Sequence, residues 1–157
     1  MIERSKVACF SGHRRLPEDC RELQKALESA IAWLIEQGVI YFGAGGALGF
    51  DMLAEGTVLQ MEQQYPQIRL ILVLPCPPEQ QTLLWNDAQR KQYNEIMAMA
   101  DKVRILSPTY TSSCMLERNR HLVDNSGHLI CYLRENHGGT FYTVNYAEKQ
   151  GLRVLRL

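Results

Sequence analysis

Short apolar runs alternate with longer amphipathic stretches from one end of the chain to the other. "KVACF" (6–10) predicts a first strand. Leu23, Leu27, Ala30, Ile31, Leu34 and Ile35 follow at helical spacing on one face, and the helix they define should close at Gly38. "VIYF" (39–42) predicts a second strand, and Met52, Leu53, Val58, Leu59 and Met61 a second helix that runs out before Pro66. "IRLILVL" (68–74) is apolar almost without interruption, the pattern of a strand buried on both faces, and Pro75, Pro77 and Pro78 stop it. Residues 79–100 mix Leu83, Leu84, Trp85, Tyr93, Ile96, Met97 and Met99 with polar partners and predict one or two helices. "KVRIL" (102–106) is a fourth strand, and 107–126 a loop entering a helix that Ser112 or Ser113 is placed to cap. "HLICYL" (128–133) is a fifth strand, 138–151 a loop and helix, and "LRVLRL" (152–157) a short final strand.

Strictly alternating strands and helices imply parallel strands joined by right-handed crossovers, with helices on both faces of the sheet. The expected fold class is α/β: a single Rossmann-like, doubly wound domain spanning 1–157, with a mainly parallel sheet. Ligands of such sheets bind beyond the carboxyl ends of the strands, where strand order reverses. Candidate chemistry is therefore sought in the loops that follow strands.

Three of these loops are rich in small residues: "SGHRR", "GAGGALGFD" and "ENHGGT". Each stands between a strand and a helix, where unpaired backbone N–H groups and the positive end of the helix dipole attract an anion. The second loop fits no common fingerprint. Counted from Gly43, the third glycine of G-x-G-x-x-G would fall on Leu48, and the lysine and hydroxyl of a Walker loop are absent. It reads equally well as a tight strand-to-helix corner. Asp51 has two readings, a favourable charge in the first turn of a helix or a partner for a sugar hydroxyl. Arg14 suits phosphate, because a guanidinium fork binds oxygens in pairs. Trp85 reads as packing or as a stacking surface for a base. Arg118 and Arg120 flank Asn119 on a predicted helix, where Glu117 and Asp124 are the local partners.

Composition narrows the function classes. Seventeen basic and seventeen acidic residues cancel, which gives no general attraction to nucleic acid or to an anionic membrane. Five widely spaced cysteines without a CxxC pair point to reduced thiols rather than a disulfide framework or a zinc site. No stretch approaches the roughly 20 apolar residues of a membrane span, and "MIERSKVACF" is no targeting signal. A cytoplasmic protein is expected. No residue combination resembles a Ser-His-Asp triad, a Cys-His pair or a metal site.

Four segments in order, "FSGHR", "GGALGFDMLAEGTV", the stretch from Trp85-Asn86 to Tyr93-Asn94, and "CMLERNRHLVDNSGHLICYLRENHGGTFYTVNYA", closely resemble the YpsA-like branch of the SLOG superfamily. That superfamily is related to the DNA-processing protein DprA and to the LOG, or lysine decarboxylase-like, phosphoribohydrolases. The resemblance implies a binding or sensing domain for a nucleotide or nucleotide-derived ligand, with no cofactor identified and with dimers common among relatives. Ser11, Gly12, Arg14, Gly45, Gly46, Asp51, Arg118, Asn119, Gly138, Gly139 and Thr140 occupy its motif positions. Backbone N–H groups around Gly45, Gly46, Gly139 and Thr140 would hold phosphate, Arg14 and Arg118 would balance its charge, and Asp51 would meet a sugar hydroxyl.

The LOG phosphoribohydrolases carry M-x-x-R-K and P-G-G-x-G-T-x-x-E elements. Met115 and Arg118 match the first, but Asn119 replaces its lysine. Gly138 and Gly139 match the second, while His137, Phe141, Tyr142 and Asn145 replace proline, glycine, threonine and glutamate. An amide at 145 lacks the charge that a carboxylate supplies in glycosidic cleavage, which puts that mechanism in doubt unless Asp51 substitutes. DprA-like single-stranded DNA binding is a further alternative, against which the zero net charge weighs.

Overall fold

A computed structural model describes residues 2–157. After a short 3-10 turn at Arg4–Lys6, the elements run β1 (Val7–Gly12), α1 (Arg21–Glu36), β2 (Tyr41–Ala44), α2 (Phe50–Met61), β3 (Arg69–Leu74) and α3 (Pro78–Gln81). They continue with α4 (Asp87–Met99), β4 (Lys102–Ile105), α5 (Cys114–Asp124), β5 (His128–Tyr132), α6 (Gly138–Lys149) and β6 (Arg153–Arg156). The six strands form one sheet in the order β4-β3-β2-β1-β5-β6, and every pairing is parallel. The fold is the expected Rossmann-like α/β architecture.

Apolar periodicity explains which face each helix covers. Leu23, Leu27, Ile31, Leu34 and Ile35 turn α1 toward the sheet. With α2 and α4 they pack on Phe10, Phe42, Leu70, Leu72 and Leu74, where fully burying each large side chain stabilises by about 1.5–3 kcal/mol. On the opposite face α5 and α6 press Leu122, Val123, Val144 and Ala147 onto Cys9, Leu129 and Cys131. The inner strand β5 is buried along its whole length, whereas every residue of the edge strand β4 is exposed.

Gly38 closes α1 as expected. Its φ of +97° lets its N–H reach the Ile35 carbonyl at 3.0 Å, and the Val39 N–H reaches back to Leu34 at 3.0 Å. Ser113 stands at the start of α5, but it does not cap the helix with its side chain. Its backbone is helical (φ −109°, ψ −3°) rather than extended, and its hydroxyl donates to Glu117 Oε1 at 3.1 Å instead.

From β1 the chain builds outward through β2, β3 and β4, then returns to lay β5 on the other side of β1. The strand order therefore reverses between β1 and β5. The connections leaving these two strands lead to α1 on one face and α6 on the other, so a crevice opens at their carboxyl ends.

Candidate functional site

A cleft of about 320 Å³ occupies that crevice. Ser11, Gly12 and Arg14 enter it from the end of β1 and the loop beyond, Asp51 from α2, Arg118 and Asn119 from α5, and Gly138, Gly139 and Thr140 from the start of α6. Nine of the eleven residues expected at a site thus share one cleft. Gly45 and Gly46 do not line it.

The reason lies in the second loop's hydrogen bonds. The Gly45 N–H donates to Asp51 Oδ2 at 3.2 Å, the Ala47 N–H to the same oxygen at 3.4 Å, and the Gly46 N–H to Glu55 Oε1 at 2.8 Å. The Gly45 carbonyl accepts from Gln81 Nε2 at 3.2 Å and from Arg118, and the Tyr93 hydroxyl donates to Gln81 Oε1 at 2.8 Å. The expectation that these glycine amides hold phosphate is therefore corrected: two carboxylates of the following helix already occupy them. Asp51 is more than a charge in the first turn, since its Oδ2 folds back to close the loop that precedes it.

Glu55, Gln81 and Tyr93 were not among the expected site residues. The available signal was the Asp51–Glu55 pair, one helical turn apart within the otherwise apolar "FDMLAEGTV". Asp51 is 6% exposed, Glu55 1% and Arg118 4%. Burial drives all three toward their neutral forms. Asp51 is raised above its ordinary range by desolvation, against the pull of Arg118, the Ala47 and Gly45 amides and Arg14. Glu55 is raised further, by desolvation and then by the Asp51 charge. Desolvation lowers Arg118, while Asp51 and Glu55 oppose that fall. Arg118 makes no direct ion pair with either carboxylate among the described residues. Its Nε donates to Asn119 Oδ1 at 2.8 Å.

Asp51 Oδ1 accepts no hydrogen bond from the described residues, although the side chain lines the cleft. Across the same cleft, His137 leads into α6 with no side-chain cap, and a Cβ on Gly139 would meet open space. The first-turn amides of α6 are therefore free of the contacts that fill the second loop. The start of α2 differs, because the Phe50 N–H donates to the His13 carbonyl at 3.1 Å. His13 Nε2 also accepts from the Arg134 N–H at 2.8 Å, which ties the loop after β1 to the loop after β5.

Several other residues take structural positions. Trp85 meets Tyr93 edge-on at 5.3 Å and lies outside the cleft, so packing accounts for it. Arg120 bonds the Tyr142 hydroxyl and lies 5.5 Å from that ring, rather than pairing with Glu117 or Asp124. Asn145 does not reach the cleft. No helix of the described residues is long and apolar enough to cross a membrane.

An all-parallel sheet whose order reverses over a small-residue cleft defines a Rossmann-like α/β domain of the doubly wound class. The sequence profile of the YspA SLOG family matches residues 13–154, and the chain belongs to that family. It is 33% identical over 131 residues to the UPF0398 protein BH1768 of Halalkalibacterium halodurans, covering 82% of this chain and 68% of the relative. It is 23% identical over 131 residues to the UPF0398 protein YpsA of Bacillus subtilis, covering 82% and 72%. In structure it is similar to the DNA processing protein A of Helicobacter pylori, described for its single-stranded DNA binding mode, with a TM-score of 0.68 at 18% identity. That match covers 98% of this chain and 65% of the other. The same protein from Streptococcus pneumoniae gives 0.68 at 19% identity, covering 96% and 49%. The chain thus spans about two thirds of its curated relatives and between half and two thirds of these DprA chains.

Proposed function

We propose that the cleft between β1 and β5 holds the phosphate and sugar of a nucleotide or nucleotide-derived molecule, as a binding or sensing domain of the cell interior. The observation that carries this reading is the unpartnered Oδ1 of buried Asp51, which shares the cleft with the open first turn of α6. An anion suits the Gly139 and Thr140 amides beside the exposed Arg14. A sugar hydroxyl can donate to Asp51 Oδ1, the side of the cleft where a second anion would be repelled. Arg118 acts from beneath, holding Gly45 and moderating the charge of Asp51. Calorimetry with AMP, NAD and ADP-ribose tests the reading. At least one ligand should bind, and Arg14→Ala should weaken it about tenfold, as expected for loss of one charge-assisted contact. Binding indifferent to both Arg14→Ala and Asp51→Asn would place the ligand elsewhere.

A second reading, a nucleotide hydrolase, is favoured by one observation: Asp51 is a cleft carboxyl whose proton affinity is raised by burial, as general acid–base chemistry requires. It predicts release of ribose 5-phosphate or free base from a mononucleotide, abolished in Asp51→Asn. Absence of turnover by protein that binds the same mononucleotide leaves sensing as the function. The likeness to DprA raises single-stranded DNA as a third ligand, for which retention of an oligonucleotide that falls steeply with salt is the expected mark.

A further inference from the structure

The two edges of the sheet end differently. On β6, Arg156 pairs with Glu148, and the Arg153 guanidinium lies 5.0 Å from the centre of the Trp33 ring. On β4, Lys102 and Arg104 make no hydrogen bond or ion pair through their side chains among the described residues. The neighbouring Asp101 is engaged elsewhere, accepting from the Leu70 N–H at 2.7 Å and facing Arg69 at 3.9 Å. Registers with β3 place Lys102 beside Ile71 and Arg104 beside Val73 on one face, and Val103 and Ile105 beside Leu72 and Leu74 on the other. Val103 is 37% exposed and Ile105 45%.

On the cationic face lies a groove of about 330 Å³. It lies on the face of the β2–β4 half opposite α2 and α4, where His121 and Leu122 of α5 border it on one side and Lys102 and Arg104 of β4 on the other. Tyr41, Gly43, Ile71 and Val73 help to line it, Lys102 and Arg104 supply its charge, burial and the neighbouring Arg104 hold His121 toward its neutral form, and no carboxylate lines it among the described residues.

We propose that the β4 edge docks an extended segment of a partner polypeptide, with acidic side chains toward the groove and apolar ones beside Val103 and Ile105. An unpaired strand edge offers backbone groups in a row, and alternate side chains give such additions their specificity. Charge selects the occupant. Antiparallel pairing of β4 with a second copy, across a two-fold axis normal to the sheet, would set Lys102 and Arg104 against the same cations on one face, which is unfavourable. An acidic strand meets those cations with opposite charge. At about 3.3 Å per residue the edge engages roughly four residues, so binding is weak and selective rather than tight.

The probe is a six-residue acetylated peptide alternating glutamate and valine, compared with one alternating lysine and valine, by fluorescence anisotropy and amide hydrogen exchange. The acidic peptide should bind at least tenfold more tightly than the basic one and slow exchange along Lys102–Ile105. Arg104→Glu should remove that preference, and Lys149→Glu, the same charge change at a distant exposed site, should leave it intact. Equal binding of the two peptides, or binding without protection of β4, overturns the proposal. So does sedimentation showing a dimer that Arg104→Glu alters, which would make a second copy the occupant. Stronger protection of β4 by an oligothymidylate than by the acidic peptide would assign the edge to nucleic acid and also overturn it.

Discussion

The loops after β2 and β5 hold the same kind of residue in the same position, before a helix at the carboxyl edge of a parallel sheet, yet they do opposite things. In the first, the amides of Gly45, Gly46 and Ala47 turn inward to Asp51 and Glu55, and the first amide of α2 is taken by His13. In the second, α6 begins without a side-chain cap and its glycines face open space. The difference comes from the following helix. A helix with carboxylates on its first and second turns closes its own loop, while "GGTFYTVNYA" carries none and leaves its amides to solvent or ligand. Glycine content therefore shows where a chain can approach a ligand, and the downstream acids decide whether it does.

The largest effect should come from the counter-charge of the closed loop. Arg118→Met removes the charged donor to the buried Gly45 carbonyl and the cation that moderates Asp51 and Glu55, and should cost about 1.5–3 kcal/mol. Urea denaturation measures it. A loss within about 1 kcal/mol would mean that the two acids are already neutral and that the loop closes without Arg118.

Steric contrast between the loops should be nearly as large. A Cβ on Gly45 would collide with the Arg118 guanidinium, whereas a Cβ on Gly139 would touch nothing. Gly45→Ala should cost about 1–3 kcal/mol, and Gly139→Ala should fall within about 0.5 kcal/mol of the parent. Equal melting temperatures for the two variants would erase the distinction between a packed loop and an open one.

Much of this was legible in the residues. All six strands followed from apolar runs, and the edge that carries the candidate cleft followed from their alternation, because parallel sheets bury their centres and open crevices at their carboxyl ends. What the sequence concealed is the direction in which an amide points. "GAGGALGFD" and "ENHGGT" look alike as strings, and only the return of Asp51 and Glu55 onto the loop separates them. Gln81 and Tyr93 complete that network from α3 and α4, more than 30 residues from Gly45. Local patterning carries no information about such a meeting. The partner of Arg120 was missed for the same reason, since Tyr142 is 22 residues away.

An aspartate on the open loop should separate stability from binding. Gly139→Asp puts a negative charge in the first turn of α6, which favours the helix by about 0.3–1 kcal/mol. The same charge repels an anionic ligand, and affinity for a bound nucleotide should fall at least about tenfold. A variant that melts higher and binds worse is the expected pair of results from thermal denaturation and calorimetry. Unchanged affinity would remove α6 from the ligand's surroundings.

The smallest effect isolates the acid that closes the other loop. Burial and the neighbouring Asp51 raise the proton affinity of Glu55 in the folded chain above its value in the unfolded one. The native state then holds the proton more tightly, so this contribution to stability is complete below the unfolded value, near 4.5, and is lost as pH rises toward the folded value. Glu55→Gln keeps an oxygen for the Gly46 amide but has no proton to lose. Relative to the parent, its melting temperature should therefore climb by a few degrees as pH is taken from about 4.5 to 8, with little difference at the acid end. Thermal melts of both proteins across that range give the sign directly. A difference that falls with rising pH would mean that Glu55 is held as a carboxylate by Arg118, and that the closed loop rests on a buried charge rather than on a neutral acid.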